Sequence, residues 1–247
     1  MLGSYRLAIQ ETVKYFTEWM PTIDQIDGLK AEGCWNNDWK ASQELIKRYQ
    51  QKIGFTDSIP SFDDVVSVFS RFYFGGDPAG DSRKWKGFIR NEPLLVDQDF
   101  FAQLTLQGFQ WGFVSGAESP SAKFVLETRL GLKNPPLIAM GDAPDKPDPS
   151  GLLQLASEMV GGSLGLDVPP IGYVGDTVAD VLTIQQARIQ EPKQAFLSLA
   201  VAPPHLHSDL NQAKRFEYEK KLSIAGADRI LESTIQVLEL LSNWDKL

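Results

Sequence analysis

Residues 172–180 read Gly-Tyr-Val-Gly-Asp-Thr-Val-Ala-Asp, an apolar run that ends in a Gly-Asp corner and carries a second carboxylate one helical turn later. The pattern predicts a buried strand followed at once by a helix. Because four residues make about one turn of helix, Asp180 is expected to point towards the same crevice as Asp176. The structural alternative is a strand-to-helix corner in which Asp176 only caps the helix.

A proline-stiffened loop carries a lysine upstream of this corner. It reads Lys146-Pro147-Asp148-Pro149, after the apolar stretch 136–140 and before an amphipathic pattern that Ser150 is expected to cap. The two prolines fix two φ angles and bias the residues before them to extended geometry. Such a loop aims one cation in a defined direction, and a plain surface turn is the alternative interpretation.

A hydroxyl and a glycine end an earlier apolar run. Residues 111–116 read Trp-Gly-Phe-Val-Ser-Gly, and the sequence predicts a strand over 110–115 with a helix opening at Ser119 or Ser121. Ser115 can donate its hydroxyl to an anion, and Gly116 lets backbone amides approach one closely. The corner suits a phosphate group, whereas a lone Ser-Gly turn is more often structural.

Taken in chain order, these three segments resemble motifs two, three and four of the haloacid dehalogenase (HAD) superfamily. The likeness covers essentially the whole chain and is greatest to subfamily IA, the phosphoglycolate-phosphatase-like branch, which has a helical cap between motifs one and two. The resemblance implies a Mg²⁺-dependent phosphate-ester chemistry. It implies catalytic roles for Ser115 and Lys146, phosphate binding by Ser115, Gly116 and Lys146, and metal binding by Asp176 and Asp180.

The family's first motif, an apolar strand that ends in Asp-x-Asp-Gly, is not found in this sequence. Its first aspartate attacks phosphorus and its second is the general acid and base. The chain instead enters at once an amphipathic helical pattern that is expected to end at Pro21. We therefore expect the motif upstream of Met1, lost through a late start or a true deletion. It would also be the central strand of the sheet.

An internal Asp-Gly pair does not replace this motif. Gln25 stands where the nucleophile would be in the frame that ends at Asp27 and Gly28, and no apolar strand precedes it. Thr22 is instead expected to cap a short helix there. Further on, residues 36–39 read Asn-Asn-Asp-Trp and are open to two interpretations. They are a turn in which Asp38 caps a helix, or a substrate contact from a cap.

The order of patterns predicts the α/β class with a parallel sheet. The resemblance implies a Rossmann-like core with an inserted helical cap, from which the central first strand is missing in this sequence. Residues 1–92 are largely helical and form the expected cap, and residues 93–247 form the expected HAD-like core. Later strands are predicted at 136–140, 171–174, 195–200 and 229–231.

Composition narrows the class of partner. The 247 residues carry a net charge of −8 without a basic patch, which argues against nucleic acid. No apolar run approaches the roughly 18 residues that span a membrane. The single cysteine, Cys34, excludes an internal disulfide and suits a reducing cytoplasm.

The resemblance implies a phosphate-monoester hydrolase that acts on a small phosphorylated metabolite through an aspartyl-phosphate once the first motif is present. The chain as given is expected to be inactive. A non-catalytic binding or regulatory protein on the same scaffold is one alternative. A phosphotransferase or mutase is another, because the fold does not fix the acceptor. The sequence predicts neither the substrate nor the oligomeric state.

Overall fold

The structure is a computed structural model that describes residues 3–54 and 59–241. The chain divides into two compact units, Met1–Pro93 and Leu94–Leu247. None of the described helices is long and apolar enough to cross a membrane.

The first unit is helical. Its helices are α1 (Ser4–Thr17), α2 (Ile23–Lys30), α3 (Asp38–Lys52) and α4 (Phe62–Tyr73), followed by 3₁₀ turns at Ser82–Lys84 and Phe88–Asn91. Their apolar faces meet in one core that includes Ile9, Val13, Ile26, Ile46 and Val65.

Two helix boundaries of this unit differ from the sequence prediction. Helix α1 does not reach Pro21: it ends at Thr17, because Glu18 takes a left-handed φ of 58° and its amide bonds the Lys14 carbonyl. The cap of α3 is Asn37 rather than Asp38. Asp38 is the first residue of the helix, and the Asn37 side chain accepts hydrogen bonds from the amides of Trp39 and Lys40. The Thr22 cap of α2 is confirmed.

The second unit alternates strands and helices. The strands are β1 (Phe113–Glu118), β2 (Leu137–Met140), β3 (Ile171–Gly175), β4 (Phe196–Val201) and β5 (Arg229–Leu231). The helices are α5 (Gln98–Leu106), α6 (Ser119–Lys123) with a π-helical extension over Phe124–Arg129, α7 (Ser150–Val160), α8 (Val178–Gln190), α9 (Gln212–Ala225) and α10 (Gln236–Leu241). All strand pairs are parallel, which confirms the predicted α/β class.

The strands form two sheets. One contains β1 and β2, and the other has the order β3-β4-β5. Strand β4, paired on both edges, is buried at every residue but Leu197, whereas β1 is half-buried throughout and Val174 of β3 is 36% exposed. Within residues 3–54 and 59–241 no strand joins β1 to β3. In this part of the chain β1, β2, β3 and β5 each have one edge without a strand partner.

Candidate active site

Lys146 brings three elements of the second unit together. Its Nζ lies 2.6 Å from Asp180 Oδ1, 3.2 Å from the Tyr173 hydroxyl and 3.4 Å from the Val114 carbonyl oxygen. The side chain comes from the loop that follows β2 and is only 12% exposed. It therefore joins the start of α8 to the edge strands β3 and β1, and two residues that the sequence predicted to share a site are in direct contact.

Asp180 uses both carboxylate oxygens. Oδ1 accepts from Lys146 and from the Tyr173 hydroxyl, while Oδ2 accepts from the Thr177 amide at 3.0 Å and the Thr177 hydroxyl at 2.6 Å. In return the Asp180 amide donates to the Thr177 hydroxyl at 3.2 Å, which completes a capping box. The cap of α8 is Thr177, so the interpretation of Asp176 as the helix cap is wrong.

Burial and charge act against each other in this cluster. Burial favours the uncharged forms, but the Lys146 ammonium outweighs it and holds the pKa of the Asp180 carboxyl below its usual value. The same pair raises the pKa of Lys146 in spite of its burial. Burial raises the pKa of the Tyr173 hydroxyl, so that it stays protonated and donates to Asp180. At neutral pH the cluster holds one cation, one anion and one neutral hydroxyl.

Asp176 lies just beyond the carboxyl end of β3 and is half-buried. Its backbone carbonyl accepts a hydrogen bond of 3.0 Å from the hydroxyl of Tyr218, a buried residue of α9. A helix 42 residues further along the chain thus contacts the backbone of Asp176.

The donors present are compatible with Mg²⁺ at one carboxylate. Mg²⁺ usually binds one or two carboxylates and keeps several waters. Asp176 lies beyond the carboxyl end of β3 and is half-buried, and both oxygens of Asp180 accept hydrogen bonds from Lys146, Tyr173 and Thr177. In the described part of the chain, no three His, Cys, Asp or Glu side chains cluster in a way that could hold a metal.

Ser115 and Gly116 lie in an irregular stretch of β1. Strand β1 begins at Phe113 and continues to Glu118, so the predicted strand over 110–115 was placed three residues too early. Its regular pairing with β2 stops at Val114 and resumes only at Glu118. The Ser115 hydroxyl accepts from the Ala117 amide at 3.1 Å within this bulge. Because Lys146 contacts Val114, the ammonium lies next to the residue that precedes Ser115.

The loop that carries Lys146 is fixed from both sides. The Lys146-Pro147 peptide bond is cis. Asp148 Oδ1 accepts from the Ser150 amide at 2.9 Å, and hydrogen bonds from the Ser150 side chain and amide lower the pKa of Asp148. Ser150 is the first residue of α7 and the N-cap position is Pro149, so the expected Ser150 cap is wrong.

Three functional neighbours were missed by the sequence reasoning. Tyr173 and Thr177 lie within residues 172–180, and the Thr-x-x-Asp spacing of 177–180 is a recognisable capping signal. Tyr218 has no local signal, since its contact with Asp176 spans 42 residues.

Two aspartates of the first unit, Asp27 and Asp38, form ion pairs. Asp27 Oδ1 lies 2.9 Å from the Arg6 guanidinium, and the Arg6 side chain is 1% exposed. Lys30 Nζ lies 2.7 Å from Asp38 Oδ1. The Asp-Gly pair at Asp27 is therefore part of a helical core and not of a nucleophile loop.

Comparison with known proteins places the fold. The chain is 14% identical to a phosphonoacetaldehyde hydrolase-like protein of Oleispira antarctica, with a TM-score of 0.69 over 98% of this chain and 86% of that one. A putative haloacid dehalogenase-like hydrolase of Bacteroides fragilis gives 18% identity and a TM-score of 0.55, over 96% of this chain and 94% of that one. These structural neighbours are HAD-like hydrolases, and the chain has their fold.

One curated relative resembles the sequence more closely. It is a Phytophthora nicotianae protein named imidazoleglycerol-phosphate dehydratase, 30% identical over 188 residues, or 74% of this chain. The match spans only 38% of that longer protein. No protein-family model matches the sequence.

Proposed function

We propose that the protein is a phosphate-monoester hydrolase of the HAD type that acts on a small phosphorylated metabolite in the cytoplasm. The observation that carries the proposal is the Lys146 ammonium, fixed 2.6 Å from Asp180 beside the edge strands β1 and β3. The HAD-like fold supports it, because ligands of open α/β sheets bind beyond the carboxyl ends of the strands.

Each predicted residue has a role in this proposal. The Lys146 ammonium balances the charge of the phosphate. The Ser115 hydroxyl and the Gly116 amide, in the bulge of β1, donate to the phosphoryl oxygens as charge develops on them. Asp176 is the proposed direct ligand of Mg²⁺, which supplies further neutralisation of the phosphate when bound. Asp180 supports the site through Lys146 rather than through a carboxylate oxygen of its own, since both are already bonded.

The nucleophile comes from a strand that pairs with β1 and β3. The unpaired edges of these two strands and their partial exposure favour such a strand. An aspartate at its carboxyl end forms a bond to phosphorus while the bond to the ester oxygen breaks, and the leaving alcohol takes a proton from a second carboxylic acid. Water then attacks the aspartyl-phosphate and gives a proton to the second carboxylate, which releases phosphate and restores both the nucleophile and the acid.

The test uses the protein extended upstream of Met1 by the preceding reading frame. An apolar strand that ends in Asp-x-Asp-Gly is expected within about 20 residues, the length of one strand and its loop. The extended protein should release phosphate from an aryl phosphate in the presence of Mg²⁺ but not of a chelator, and the chain as given should not. A metabolite panel that includes imidazole glycerol phosphate, taken from the name of the relative, then defines the substrate.

An extended protein that folds and binds phosphate, yet hydrolyses no member of the panel, would favour the binding or regulatory protein instead. Phosphoryl transfer to an added alcohol, faster than transfer to water, would favour the phosphotransferase.

A further inference from the structure

We infer that Tyr173 is a positioning residue that fixes the direction of the Lys146 ammonium. The inference deepens the proposed function and rests on it for its catalytic meaning, but the geometry it describes is a property of the chain itself. Tyr173 belongs to β3, which is paired on one edge only, and it is not among the site residues predicted from the sequence.

The contacts form a closed triangle. Lys146 Nζ donates to the Tyr173 hydroxyl oxygen at 3.2 Å and to Asp180 Oδ1 at 2.6 Å, and the Tyr173 hydroxyl donates to the same Oδ1 at 3.1 Å. Nζ also lies 5.8 Å from the centre of the Tyr173 ring. With the Val114 carbonyl at 3.4 Å, the three N–H donors of the ammonium have three acceptors on three different elements.

A single ion pair would not fix the ammonium. Lysine is a point charge on a flexible four-carbon stem, and it rotates about one carboxylate at little cost. The second acceptor is the Tyr173 hydroxyl, which lies on β3 rather than on α8, and it defines the direction of the Lys146 side chain. Because Tyr173 also bonds the oxygen to which Lys146 is paired, loss of its hydroxyl removes one acceptor from the lysine and one donor from Asp180 together.

The structure offers a matched control. Tyr218 is a second tyrosine of the same unit, 6% exposed, whose hydroxyl bonds the Asp176 backbone carbonyl at 3.0 Å. Replacing either tyrosine by phenylalanine deletes one hydroxyl from the same unit. Only the replacement of Tyr173 removes a bond to Lys146.

The test is a proton–nitrogen NMR spectrum of lysine ammonium groups, recorded on the 247-residue chain at one fixed pH. Lys146 should give a slowly exchanging ammonium signal, identified by its loss in Lys146→Met. In Tyr173→Phe the exchange of that signal should accelerate by about tenfold or more, the factor expected for a lost hydrogen bond to a charged group. In Tyr218→Phe it should stay unchanged.

An unchanged Lys146 signal in a folded Tyr173→Phe variant overturns the inference. If the Phe variant does not fold, Tyr173→Gln and Tyr173→Leu repeat the contrast, since only Gln keeps an acceptor: the signal should persist in the first and be lost in the second, and equal behaviour of the two overturns the inference. The hydrolysis assay decides the proposed function separately. An extended protein without phosphatase activity whose ammonium signal still depends on Tyr173 would reject the function and retain the positioning role.

Discussion

The Asp180 side chain packs directly on Gly175. A Cβ at Gly175 would lie 2.8 Å from Asp180 Oδ2 and closer still to its Cβ and Cγ. The glycine of the Gly-Asp corner is thus required for space, because the carboxylate that anchors Lys146 occupies the volume a side chain would need.

Gly175→Ala should therefore disrupt the corner. We expect a loss of unfolding free energy of about 3 kcal/mol, at the upper end of overpacking costs, measured by urea denaturation. Gly162→Ala is the matched control, because a Cβ there would meet nothing within 4 Å. Equal stability of the two variants would show that Asp180 does not occupy this position.

The ion pair between Lys146 and Asp180 should be strongly coupled. Both side chains are nearly buried, at 12% and 6% exposure, and removal of one partner leaves a buried charge without compensation. Lys146→Met and Asp180→Leu should each cost about 3–5 kcal/mol, and the double variant should cost clearly less than their sum. The cycle is measured by denaturant unfolding at pH 7, and additive costs would contradict the contact.

Glu118, at the end of β1, should make stability depend on pH. Burial raises its pKa above the ordinary 4.5, so the folded state binds its proton more tightly than the unfolded state. The contribution of Glu118 to the unfolding free energy is fully present when the pH is below that ordinary value. It is lost as the pH rises through the raised pKa of the folded state. Relative to the parent, Glu118→Gln should thus be more stable at pH 7 than at pH 4, measured by urea denaturation at both pH values. A difference between variant and parent that does not change with pH would contradict the shift.

The two edge strands should be less protected than β4. Amides of β4 bond on both sides in a buried strand, whereas β1 and β3 each have one paired edge. In the chain as given, hydrogen exchange on β1 and β3 should be at least about tenfold faster than on β4. Uniform protection of all three strands would contradict the open edges.

Local patterns predicted the second unit well. The strands β2 to β5 lie within one residue of their predicted bounds, and the apolar run that ends in Gly175-Asp176 correctly indicated a strand followed by a helix. The approach of Lys146 to Asp180 followed from the resemblance to an ordered set of motifs and not from any local rule.

Each sequence prediction that differs from the structure does so for a physical reason. The bulge after Val114 arises from pairing with β2, which a single strand pattern does not contain. The contact between Tyr218 and Asp176 depends on the packing of α9, far along the chain. Helix α1 ends early because Glu18 is left-handed, and a glutamate at that position does not predict this conformation.

The most direct test of the account compares two aspartates in the N-terminally extended protein. Asp176 and Asp142 follow the strands β3 and β2, but Asp142 is exposed and its Oδ2 accepts from the Ala139 amide at 2.8 Å. The measurement is the rate of Mg²⁺-dependent phosphate release from an aryl phosphate. Asp176→Asn should lower it by about 10²-fold or more, as expected for a group that stabilises developing charge, and Asp142→Asn should change it little. Equal rates for the two variants, or hydrolysis that persists in a chelator, would contradict the proposed phosphatase site.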